Sequence, residues 1–128
     1  MTRPSDAELI AAARAARGRA HCPYSGFAVG AALLTADGRV VTGANVENAS
    51  FGLTICAERA AAARAVAEGA CEFEALAIAT GSDRPVMPCG ACRQFLAEFA
   101  PRLRVIAAGA GEAVVEATLD RLLPGRFE

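Results

Sequence analysis

Tryptophan and lysine are absent from this sequence, and tyrosine and histidine occur once each, as Tyr24 and His21. Every basic residue is an arginine, and the arginines are spread along the chain instead of forming a block. With a formal net charge of −1 there is no electrostatic footprint for nucleic acid or for an anionic membrane surface. No segment interleaves aromatic with basic residues, which argues against binding single strands by base stacking. No apolar run approaches the roughly 18 residues that a membrane span needs. The opening Met1-Thr2-Arg3-Pro4-Ser5-Asp6-Ala7-Glu8 lacks the apolar core of a secretory signal, so a cytoplasmic chain is expected. The five cysteines are an odd number, which disfavours a complete disulfide framework. In a reducing compartment, grouped cysteines point to metal binding or catalysis.

What is present is mostly apolar. Hydrophobic residues make up 54% and charged residues 21% of 128 positions, a balance that excludes disorder. The length predicts a single domain, residues 1–128, that buries about two-thirds of its unfolded surface. Ser5-Asp6-Ala7-Glu8 has the form of a capping box and opens an Ala-rich helix to about Arg17-Gly18. A loop over His21–Gly26 leads to a buried strand, Phe27–Thr35, and Asp37-Gly38 signals a hairpin to a partner at Arg39–Val46. Helices are expected over Cys56–Glu68 and Cys89–Phe99, with a strand at Phe73–Ala79 between them. Leu103–Ala107 and Ala113–Val115 read as short strands, and Thr118–Leu123 as a last helix. The order predicts a layered α/β fold, three layers α/β/α around a mixed sheet of about five strands.

The sharpest feature is the pair Cys56-Ala57-Glu58 and Pro88-Cys89-Gly90-Ala91-Cys92. Residues at i and i+3 share one face of a helical turn, so Cys89 and Cys92 can meet one ion. All three cysteines fall at predicted helix starts, where free N–H groups and the macrodipole favour thiolate. Arg59, on the same helical face as Cys56, can offset the negative charge of three thiolates around Zn²⁺ and keep a bound water acidic. Catalytic zinc keeps three protein ligands and one open position, whereas structural zinc closes with four. Glu58 beside that open position suits general acid–base work. This arrangement is a known signature of zinc nucleobase deaminases. A thioredoxin-like redox pair at Cys89 and Cys92 would leave Pro88 and Cys56-x-Glu58 unexplained. A closed site would need His21 as fourth ligand, though a lone loop histidine is usually solvated. Cys22 and Cys71 lie outside the pattern and read as small apolar residues.

Tyr24-Ser25-Gly26-Phe27, Val29-Gly30-Ala31-Ala32-Leu33, Asn45-Val46-Glu47-Asn48-Ala49, Cys56-Ala57-Glu58-Arg59 and Pro88-Cys89-Gly90-Ala91-Cys92-Arg93-Gln94 resemble the short cytidine deaminases. The resemblance runs from about Tyr24 to the closing Leu122-Leu123-Pro124-Gly125-Arg126-Phe127. It implies a homotetramer with one zinc per subunit, converting cytidine or deoxycytidine to the uridine product and ammonia. By position, Asn45 and Glu47 match the pair that hydrogen-bonds the ribose hydroxyl. Phe27 matches an aromatic against the pyrimidine, and Ala57 a backbone contact to the base. Phe127 matches an aromatic that reaches a neighbouring subunit's site, and Arg59 the charge-neutralising arginine. Read on their own, Asn45 and Glu47 would be turn chemistry, Phe27 core and Phe127 a frayed or anchoring end. Two departures stand out: Phe51 where members often carry Tyr, and Met87 where Ser often precedes the proline.

The expected reaction is hydrolytic deamination of a free nucleoside, with Glu58 moving the protons. A blasticidin-type antibiotic deaminase shares the zinc pattern, but Asn45-Val46-Glu47-Asn48 favours a ribose-bearing substrate. A non-enzymatic zinc domain is the reading from a different class, and Glu58 argues against it.

Overall fold

In the computed structural model, which describes residues 3–128, the chain opens with the expected capping box. Ser5 Oγ accepts the Glu8 N–H at 3.1 Å, and the Glu8 carboxylate accepts the Ser5 N–H at 2.9 Å. Helix α1 spans Asp6–Ala16 and tightens into a short turn at Arg17–Arg19. Strands β1 (Val29–Thr35) and β2 (Val40–Ala44) form the hairpin predicted at Asp37-Gly38. Helix α2 (Ala57–Ala67), strand β3 (Phe73–Thr80) and helix α3 (Gly90–Ala97) follow. Strands β4 (Arg104–Ala108) and β5 (Val114–Thr118) and the single turn α4 (Leu119–Leu122) end the chain.

The sheet order is β2-β1-β3-β4-β5. Only β3 and β4 are parallel, and α3 supplies the crossover that a parallel pair requires. Alternation along the strands sorts the core into two layers. Ala31, Leu33, Val41, Leu76, Ile78 and Val105 point to the face covered by α2 and α3. Ala32, Leu34, Ala75, Ala77, Ala79 and Ile106 point to the opposite face, where Leu9 and Ala13 of α1 cover them. The mixed five-stranded sheet in an α/β/α sandwich is therefore the predicted fold.

Two glycines set how closely the helices approach. A Cβ at Gly43 would lie 2.4 Å from the Ala61 nitrogen and 2.6 Å from the Ala57 oxygen, so α2 rests directly on β2. A Cβ at Gly30 would lie 1.9 Å from the Ala13 oxygen, fixing α1 against β1 in the same way. Alanine-rich helices on glycine-bearing strands bring backbones together without large side chains between them. This closeness places the first turn of α2 at the sheet's end.

The differences from the sequence reading lie at element ends. β1 begins at Val29 instead of Phe27, and β2 stops at Ala44 instead of Val46. Val46 instead makes isolated bridges to His21 and Ile55. β5 runs on to Thr118, past the expected Val115. Cys56 and Cys89 are extended N-cap residues, with φ/ψ of −71/154° and −67/168°, and lie just outside the helices assigned to them. Cys71 is exposed instead of packed among apolar neighbours, because it lies in the irregular connection between α2 and β3. Among the described residues no helix is long and apolar enough to cross a membrane.

Candidate active site

Two helix starts converge on one point. Cys56 caps α2, Cys89 caps α3, and Cys92 sits in the first turn of α3. The sulfurs of Cys56 and Cys89 are 3.8 Å apart, and those of Cys89 and Cys92 are 3.5 Å apart. All three lie within 4.8 Å of one another. Tetrahedral zinc with Zn–S bonds of about 2.3 Å requires sulfurs about 3.8 Å apart. The three are thus positioned to bind one metal ion. His21 is not part of the group, so the described residues offer three metal-ligating side chains and not a closed set of four.

Charge around the sulfurs is graded by depth. Arg59 directs Nη2 to the Cys56 sulfur at 3.7 Å and to the Thr54 carbonyl at 3.4 Å. The Cys56 thiol is drawn down to about 5, first by its hydrogen bond with Cys92 and then by Arg59. Cys92, wholly buried, holds its proton far above the ordinary thiol range through the same hydrogen bond and through burial. Glu58 is 5% exposed, and burial pushes its carboxyl up from the ordinary range, with the negative Cys56 beside it adding to the effect. A carboxyl whose proton affinity is raised and that lies next to a metal-ligating cluster can both take and return a proton.

Cys56, Glu58 and Cys89 open onto a cleft of about 310 Å³, within the range of small-molecule sites, with Cys92 buried behind them. Phe27, Asn45, Glu47 and Ala57 line it together with Cys56, Glu58 and Cys89. Phe27 is 41% exposed, so it faces the cleft and is not core. Asn45 is buried; its Oδ1 accepts the Val29 N–H at 2.8 Å and its Nδ2 donates to the Phe27 carbonyl at 2.9 Å. Glu47 accepts the N–H groups of Tyr24 and Ser25 at 3.0 and 3.1 Å and also the Ser25 hydroxyl. The two residues therefore clamp the Tyr24–Val29 loop, while each keeps unused hydrogen-bonding capacity. A larger cleft of about 570 Å³ between α1, α2 and β2 carries only Arg19 and Arg64 as charged groups and lies away from the cysteines.

Residues 3–108 match the family model described as the cytidine and deoxycytidylate deaminase zinc-binding region. The chain belongs to this deaminase family. It is 50% identical to the cytidine deaminase of Halalkalibacterium halodurans over 120 residues, covering 93% of this chain and 91% of that one. It is 48% identical to a probable cytidine deaminase of Dictyostelium discoideum over 121 residues, covering 94% of this chain and 82% of that one. The crystal structure of cytidine deaminase from Burkholderia pseudomallei superposes with a TM-score of 0.94 at 46% identity, covering 97% of this chain and all of that one. Zinc is accordingly the metal that the three cysteines suit.

Within this deaminase fold, sequence reasoning missed several residues that line the cleft, namely Ser25, Thr54, Ile78, Thr80 and Val86, while Met87, singled out as a departure before the proline, also lines it. Only a register of β3 against the cysteine loop places Thr80 and Ile78 there, and local sequence carries no such register. Ser25 had a signal in the Tyr24-Ser25-Gly26 turn, since a hydroxyl there commonly bonds nearby backbone. Its Oγ also accepts the Phe27 N–H at 2.9 Å. Phe127 is not brought to the chain's own cleft. Its ring is 84% exposed, while its backbone is tied to Gln94 on α3 by two hydrogen bonds of 2.9 and 3.0 Å.

Proposed function

We propose that residues 1–128 are a single deaminase domain that hydrolyses free cytidine and deoxycytidine to uridine and deoxyuridine with release of ammonia. The observation that carries this reading is Glu58, buried beside three converging sulfurs at the floor of a cleft bordered by Phe27, Asn45 and Glu47. Cys56, Cys89 and Cys92 are the metal ligands. Zinc held there would supply a water of lowered pKa, about 7, as the nucleophile. Glu58 takes up the released proton and passes it to N3 of the pyrimidine, which makes C4 electrophilic. It then takes the remaining proton of the oxygen added at C4 and delivers it to the amine, so that the C4–N bond breaks, ammonia leaves and the C4 carbonyl of uridine forms. Phe27 packs against the pyrimidine, the Ala57 backbone contacts the base, and Asn45 and Glu47 hold the ribose hydroxyl. Arg59 keeps the thiolate cluster from becoming too electron-rich.

The subunits assemble as a cytoplasmic homotetramer. Support comes from Phe51, Leu53 and Phe127, which are 73%, 66% and 84% exposed in the single chain, and from Tyr24 packed edge-on to Phe51 at 5.8 Å. Exposed apolar groups of this size mark association surfaces. Phe127, tethered through its backbone with its ring free, completes a neighbouring subunit's site.

The test is a turnover assay on cytidine, deoxycytidine, cytosine and blasticidin S, with and without a zinc chelator. Ammonia release from the two nucleosides, abolished by the chelator, is expected. Turnover of the bare base but neither nucleoside would overturn the ribose-binding roles, and zinc uptake without turnover of any pyrimidine nucleoside would favour a zinc-binding scaffold.

A further inference from the structure

Of the three sulfur positions, Cys89 has the least packing around it. Cys92 is fully buried within α3, and Cys56 is half-buried at the start of a helix pressed onto Gly43. Cys89 is exposed, and its neighbours Gly90 and Ala91 are exposed as well. Something other than packing has to fix the direction of its side chain.

That direction depends on the two peptide planes flanking the Cys89 Cα. The first plane carries the Pro88 carbonyl, which accepts Arg93 Nε at 2.7 Å. The second carries the Cys89 carbonyl, which accepts the Arg93 backbone N–H at 3.0 Å. One residue thus holds both planes, and with them the Cys89 φ of −67° and ψ of 168°. In helix terms, Pro88 and Arg93 occupy the N′ and N4 positions that more often meet through an apolar contact. Here a charged, forked donor replaces that contact, and its second arm is not idle. Arg93 Nη1 donates to the Leu122 carbonyl at 2.8 Å, at the end of α4, where helix carbonyls lack internal partners. The guanidinium therefore ties the cysteine loop to the C-terminal turn of the chain.

We propose that Arg93 is a positioning residue for the metal centre: by bridging Pro88 and Leu122 it fixes Cys89, so that zinc retention depends on the docking of α4. This rests on the reading that the three cysteines hold zinc. Lysine could reach one carbonyl but lacks the fork that spans two. Methionine keeps much of the volume and donates nothing.

The experiment is zinc transfer from the purified, zinc-loaded protein to a chromogenic chelator, with far-ultraviolet circular dichroism recorded on the same samples. Arg93→Met is expected to bind zinc about 10- to 100-fold more weakly, the usual effect of losing a partner behind a metal ligand. Its helical signal should be unchanged, and Arg93→Lys should fall between it and the parent. If Arg93→Met does not fold, the lysine variant alone decides, by weaker zinc retention at a parental dichroism spectrum. A variant that folds and keeps zinc as tightly as the parent overturns the inference while leaving the deaminase reading intact. A parent protein that takes up no zinc overturns both.

Discussion

At Glu47 one carboxylate receives two backbone N–H groups and a hydroxyl from a single loop, and these donors hold its carboxyl below the usual carboxylate range. The Ser25 hydroxyl contributes most. A folded-state pKa below the unfolded value of about 4.3 adds stability above that value, and this stability is lost as pH falls through the lower folded pKa. Wild-type protein should therefore lose more of its urea midpoint between about pH 6 and pH 3 than Glu47→Gln does; equal losses would contradict the clamp. The same clamp shows why residues such as these are hard to read. Asn45 and Glu47 look like turn chemistry because they are turn chemistry, hydrogen-bonded to residues 24–29, and they also line the cleft. Phe27 looks like core because its neighbours in sequence are apolar, yet Asn45 grips its carbonyl and the regular strand starts only at Val29. Arg93 stands in the quoted cysteine motif, but its bridging contact was not legible, since one of its acceptors, Leu122, lies 29 positions away.

Among the elements, the helix starts bring the three cysteines together and were largely legible. Ser5 and Glu8 form the capping box their spacing predicts, and Ser5→Ala should cost about 1 kcal/mol in a urea titration. The cysteines were legible as a group because predicted helix starts, C-x-x-C spacing and an acidic neighbour all pointed to one site. That Cys56 and Cys89 stand just outside their helices, as extended caps, is a matter of one residue that spacing does not resolve. Less visible was why α2 lies so close to β2, because Gly43 reads as a weak spot in a strand. Its missing Cβ is what lets Ala57 and Ala61 settle on the sheet and carry Cys56 and Glu58 into place. Gly43→Ala should lower stability by about 1–3 kcal/mol, as overpacking does. It should also reduce activity by displacing the start of α2. A variant as stable and active as the parent would show that the helix can lift away freely.

For the whole molecule, the element order and a mixed sheet of about five strands were readable from alternating apolar strands and the helices between them, whereas the strand order β2-β1-β3-β4-β5 was not. The proposed assembly was not readable either, because the single chain shows Phe51 and Phe127 only as exposed side chains. Light scattering at micromolar concentration should give four chains per particle. Phe127→Ala should leave zinc content unchanged and raise KM for cytidine about fivefold, the equivalent of an aromatic contact of about 1 kcal/mol. An unchanged KM would remove Phe127 from the neighbouring site.

Whether three cysteines hold zinc while one buried carboxylate moves the protons is decided by measuring zinc content and ammonia release from cytidine on one preparation of Glu58→Gln. Zinc should be bound as in the parent, with the rate lowered by at least about 10²–10⁴. A zinc-loaded Glu58→Gln protein that deaminates cytidine at the parental rate would contradict the proton-moving role of Glu58.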